Sequence, residues 1–120
     1  MNDATLNLDG RRFAVVGATS SVVDGDAPTE FLYHEAGGVV WATYAGDTIL
    51  LGRVAGVRRH DELDLGYVQV RKADQVTMAG RSSGRIEVLA DGRLRLIEHY
   101  TFEEDGTRHV SVCEELRQEP

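Results

Sequence analysis

The stretch Arg93-Leu94-Arg95-Leu96-Ile97-Glu98-His99-Tyr100-Thr101-Phe102-Glu103 decides how this chain reads. At a period of two, Leu94, Leu96, Glu98, Tyr100 and Phe102 share one face, and Arg93, Arg95, Ile97, His99 and Thr101 share the other. The leucines and aromatic rings mark the first face as buried, which carries Glu98 and Tyr100 inward. Asp91-Gly92 and Asp105-Gly106 bound the run, and Asp-Gly supplies the positive φ angles that tight hairpins want. The stretch is therefore a β-strand with a hairpin partner on each side.

The same pattern extends along the chain. Runs of β-branched, aromatic and leucine residues predict strands at about 11–17, 29–36, 38–45, 47–59, 63–71, 75–89, 93–103 and 107–117. Gly37-Gly38 and Gly46-Asp47 mark further turns; His60-Asp61-Glu62 and Lys72-Ala73-Asp74 are weaker, polar ones. The stretch Gly17 to Pro28 is the one long connection, and it reads equally as loop, short helix or frayed strand. Short loops join antiparallel neighbours, so eight such strands form a meander. Closing the meander removes two exposed edges and encloses the apolar face. The expected fold is all-β: one eight-stranded antiparallel up-and-down barrel over 1–120, with 1–10 and 118–120 as loose ends. Glycines within strands, such as Gly52, Gly56, Gly80 and Gly84, fit bends in a curved wall.

Composition excludes several classes. Lys and Arg number 13 against 20 acids, a net charge of −7, whereas phosphate binding needs a basic surface. No nucleic-acid partner is expected. The longest apolar runs, such as Ile49-Leu50-Leu51, are far too short to cross a bilayer, so no membrane partner is expected either. Met1-Asn2-Asp3-Ala4 lacks the start of a secretory leader, which points to the cytoplasm. Cys113 is the only cysteine, so no intramolecular disulfide forms.

Several segments together resemble a known family. They are Tyr33-His34-Glu35, Val40-Trp41-Ala42-Thr43-Tyr44-Ala45-Gly46, Gly52-Arg53-Val54-Ala55-Gly56, Asp91-Gly92-Arg93-Leu94-Arg95-Leu96-Ile97-Glu98 and Ser111-Val112-Cys113-Glu114-Glu115. The resemblance, covering about 29–117, is to small bacterial lipocalin-like (calycin) barrels often labelled "N-acetylglutamate synthase". It implies a calycin barrel with a small ligand and carries over no catalytic residues. Acetyl transfer from acetyl-CoA typically uses a glycine-rich turn opening a helix to cradle pyrophosphate, and no such helix is visible here.

The candidate site follows from the inward faces. Glu98 and Tyr100 are a candidate acid/base and hydrogen-bond donor; the plainer reading is a structural hydrogen bond near the rim. Glu114 shares a face with Val110 and Val112, and in one hairpin register it approaches Glu98, where two close carboxylates favour one neutral acid. Tyr33, Tyr44, Tyr67 and Gln69, with Arg53 and Trp41, complete the candidate ligand-binding set, and the tyrosines read equally as core. Trp41 closes one end or packs on the outer wall when Tyr44 points inward, and the reverse assignment stays open. His34, His60, His99 and His109 show no metal-ligand spacing, so no metal and no cofactor are expected.

Three functions remain. The first is a barrel that binds a small, partly apolar organic molecule in a tyrosine-lined interior. The second is a cofactor-independent cyclase, isomerase or dehydratase in which an interior carboxylate moves a proton, as in secondary metabolism. The third is a filled barrel acting through its outer face, and a homodimer is left open.

Overall fold

The computed structural model describes residues 3–18 and 27–117. Residues 118–120, expected as a loose end, and 19–26 of the long connection lie outside them. A 3-10 turn, Asp3–Leu6, precedes eight strands: β1 Arg12–Ala18, β2 Glu30–Ala36, β3 Val39–Gly46, β4 Ile49–Arg59, β5 Glu62–Arg71, β6 Thr77–Val88, β7 Leu94–Phe102 and β8 Arg108–Glu115. Each strand pairs antiparallel with its chain neighbour, and β1 pairs with β8, closing the barrel. The all-β closed meander is as the alternation requires.

Turn chemistry sets the connections. Gly37 and Gly38 both have positive φ (58° and 80°), which only glycine adopts freely, and they form a two-residue hairpin between Ala36 and Val39. The Asp-Gly turns are built differently. Only Gly92 and Gly106 take positive φ, while the Asp91 and Asp105 carboxylates accept the backbone N–H of Arg93 (3.1 Å) and Thr107 (2.9 Å).

The two ends of the barrel differ. At one end Phe13, Val40, Leu65, Leu94 and Leu96 are fully buried, joined by Leu6 and Leu8 from the N-terminal segment. Each such side chain contributes about 1.5–3 kcal/mol of hydrophobic stabilisation. Residues 3–10 are thus a plug rather than a loose end. Two carboxylates anchor that plug. Glu35 accepts the Leu8 N–H (3.0 Å) and the Arg58 Nε (2.8 Å), and Glu115 accepts Arg11 Nη1 (2.9 Å) and the Leu94 N–H (3.0 Å). Arg11 also donates to the Asn7 and Thr5 carbonyls, so the segment is tied to the barrel by charge-assisted bonds.

Candidate functional site

Among the described residues the opposite end is open. The connections β3–β4, β5–β6 and β7–β8 surround a cavity of about 260 Å³ that runs down inside the barrel. Its walls are two aromatic groups. In one, Phe31 stacks on Tyr44 (centroids 4.5 Å) and on Tyr33 (5.9 Å). In the other, Tyr67, Tyr100 and Phe102 meet edge to face at 5.6–6.2 Å, and His109 stacks on Tyr100 at 5.4 Å. Such ring pairs hold each other in place as well as burying area.

Close packing of these rings depends on small residues opposite them. Tyr44 pairs across the sheet with Gly52, and Tyr67 with Gly80. A Cβ at Gly52 would fall within the Tyr44 ring, and one at Gly80 would strike the Thr101 carbonyl and the Tyr67 phenol. These glycines make room for aromatic rings rather than simply bending the wall.

Polar groups are few and aimed. The Tyr44 hydroxyl donates to Gln69 Oε1 (2.9 Å), and the Tyr67 hydroxyl to the Thr101 carbonyl (2.7 Å). Deeper, Glu98 accepts from the Ser82 hydroxyl (2.9 Å) and the Tyr33 hydroxyl (3.3 Å), and its carboxylate lines the cavity beside Ser111. Burial raises the Glu98 carboxyl above its ordinary range, against the opposing pull of the Ser82 and Tyr33 hydrogen bonds. Desolvation likewise raises the phenols of Tyr33, Tyr44 and Tyr67, with nearby negative charge adding to it, so all three are neutral donors at ordinary pH. Burial also pushes up the Cys113 thiol, whose strand position is directly opposite Leu96.

The structure brings together Tyr44, Tyr67, Gln69, Glu98 and Tyr100 on the cavity wall, with Tyr33 beneath them. It separates three other expected residues from the cavity. Trp41 lies on the outer wall, 43% exposed and stacked on His34, because Ala42 and Tyr44 take the inward positions. Arg53 is outward for the same reason, lying between inward Gly52 and Val54. Glu114 does not approach Glu98. The β7–β8 register sets Leu96 opposite Cys113 and Glu98 opposite Ser111, so Glu114 faces outward near Arg95 (3.8 Å). The complementary charges of Arg95 and Glu114 were the available sequence signal. Ser82, Ser111, Phe31 and Met78 also line the cavity and were missed, since short polar and lone apolar residues on alternating strands carry no motif.

A larger depression, about 680 Å³, lies outside the barrel across β4–β7. Half of its lining residues are charged, and of these Asp64 and Glu87 are paired with Arg81 and Arg95. Among the described residues no group of three His, Cys, Asp or Glu is placed to hold a metal ion, and no helix is long and apolar enough to cross a membrane.

Residues 6–116 match the family of avidin-like proteins, a span that takes in all eight strands. The chain belongs to the avidin-like family. Avidin-like barrels are of the calycin type, which agrees with the closed eight-strand meander. The synthase label attached to the resemblance has no support in this membership or in this avidin-like fold. No curated protein and no solved structure matches the chain.

Proposed function

We propose that this barrel binds a small, partly apolar organic molecule in its open-ended cavity, the two aromatic walls supplying contact area and Glu98, Ser82, Tyr44 and Gln69 supplying orientation. The observation that carries the reading is an apolar, aromatic cavity with a few convergent polar groups along its wall and at its base, the usual form of a small-molecule site. Membership of a family whose barrels bind small molecules such as biotin supports it. The cavity is below the ordinary lower size for ligand pockets, so a compact molecule of one or two rings suits it.

The test is a thermal-shift and native mass-spectrometry screen with biotin and a set of single-ring alcohols, amines and acids. A ligand at one hundred times its Kd adds about 2.7 kcal/mol to stability, a readily visible shift. Absence of any shift or adduct across the set, with a crystal structure whose cavity is closed, sinks the proposal.

A second reading, proton transfer by Glu98 on a bound substrate, is favoured by the raised carboxyl within hydrogen-bond reach of two hydroxyls. The substitution Glu98→Gln separates the two. Loss of turnover with ligand binding retained supports chemistry, and unchanged turnover in that variant removes it.

A further inference from the structure

Glu98 is a carboxylate enclosed in an aromatic barrel, and among the described residues no cation is paired with it. Its partners among the described residues are the Ser82 and Tyr33 hydroxyls, which together occupy two of about four acceptor positions on a carboxylate. The titratable groups packed around it from the other strands are Tyr33 on β2, Tyr44 on β3 and Cys113 on β8, and burial holds each of these neutral. On its own strand, two positions nearer the mouth, Tyr100 carries the stacked His109. A buried carboxylate left this way is costly, and an incoming positive charge is the partner that relieves most of that cost.

The mouth adds an independent observation. Glu103, Glu104 and Asp105 on the β7–β8 connection all act electrostatically on Tyr67, and Asp47 lines the cavity from the β3–β4 turn. The cations at that rim are Arg71, engaged by Asp74 at 2.6 Å, Lys72 beside it and Arg108 at the start of β8, fewer than the acids Asp47, Asp74, Glu103, Glu104 and Asp105. A negative rim above a low-dielectric cleft attracts cations and repels anions. Tyr44, Tyr67, Tyr100 and Phe102 line the space between rim and base, and the face of an aromatic ring attracts an ammonium and repels a carboxylate.

We infer that the cavity selects compact organic amines, whose ammonium group pairs with Glu98 at the base while an aromatic or short apolar body fills the space between the two ring walls. This rests on the small-molecule reading above and names the chemical class that reading leaves open. Ser82 and Tyr33 are positioning residues here, fixing the carboxylate so that its free lone pairs face the cavity.

The experiment uses three probes of one shape, phenethylamine, phenethyl alcohol and hydrocinnamate, titrated calorimetrically into the full chain and into Glu98→Gln in mildly alkaline buffer, where the amine is charged. The expected result is that the amine binds at least about tenfold more tightly than the alcohol, the strength of a charge-assisted hydrogen bond. In Glu98→Gln the advantage of the amine over the alcohol disappears. Lowering the pH through the Glu98 titration weakens the amine alone. Equal binding of amine and alcohol, tighter binding of the acid, or an amine preference that survives Glu98→Gln overturns the inference while leaving a small-molecule barrel standing. If none of the three binds, amine selection falls, and the wider screen alone decides the small-molecule reading.

Discussion

The outer edge of the Tyr44 ring lies directly over Gly52 on the neighbouring strand, so closely that this position has no room for a side chain. The ring is held there by its hydroxyl on Gln69 and by Phe31 stacked at 4.5 Å. Gly52→Ala must therefore displace Tyr44, and overpacking of this kind costs about 1–3 kcal/mol. The expected outcome is a lowered urea midpoint with an unchanged slope, together with weaker binding of any cavity ligand. A variant as stable as the parent would show that the ring has slack.

At the closed end, Glu35 and Arg58 are paired with side chains 2% and 5% exposed. Removing one member strands the other's charge and also frees the Leu8 N–H that Glu35 accepts. Glu35→Ala is expected to cost about 3–5 kcal/mol in equilibrium denaturation. The comparison is Asp74→Ala at the open end, whose pairing with Arg71 is solvent-exposed and whose loss leaves the midpoint unchanged.

Glu98 gives the barrel a pH dependence of definite sign. Its carboxyl titrates above the ordinary glutamate value of 4.5, so between that value and its folded pKa the native state holds a proton that the unfolded chain has released. Stability therefore falls as pH rises through this window and stays lower above it. Glu98→Gln, whose amide oxygen accepts from one of the Ser82 and Tyr33 hydroxyls while its NH2 donates to the other, is expected to be more stable than the parent at neutral pH. The difference closes below about pH 4.5, where Glu98 is neutral in both states. Urea midpoints of the two proteins across this range check it, and parallel curves would contradict it.

Tyrosine ionisation should track unfolding. Tyr33, Tyr44 and Tyr67 are all raised above 10.0 by burial first, with neighbouring negative charge adding to it. Their neutral forms stabilise the fold below pH 10, and that contribution is lost as the pH climbs above it. In a spectrophotometric titration these three phenols are expected to ionise together with loss of the β signal in circular dichroism. Independent ionisation in an intact barrel would mean the cavity is wetter than its lining implies.

The barrel was legible because its determinants are local. Alternation along Leu94–Phe102, the glycine turns and short connections specify strands, order and closure without reference to anything distant. The inward places of Tyr67, Gln69, Glu98 and Tyr100 follow in the same way from the parity of each one's own strand, while the Tyr44 strand reads either way round and the structure turns Tyr44 inward. Parity between strands was not legible. Val110, Val112 and Glu114 share a face that would bring Glu114 to Glu98 in one register only, and the observed β7–β8 register sets Ser111 and Cys113 inward instead. Trp41 takes the outer-wall place, one of the two that the sequence offers it when Tyr44 points inward, and Arg53 faces outward, where an arginine's long stem lies along the wall and looks, in sequence, like a site residue. The plug formed by Leu6 and Leu8 depends on Glu35, Arg58 and Glu115, which are far away in the chain.

That plug makes the protein a cup rather than a tube. Whatever occupies it must enter and depart through one aperture, so residence time is governed by the connections around that rim and not by the sealed base. A fluorophore or surface tether attached at exposed Thr5, within the plug, sits at the far pole and leaves the aperture clear for exchange.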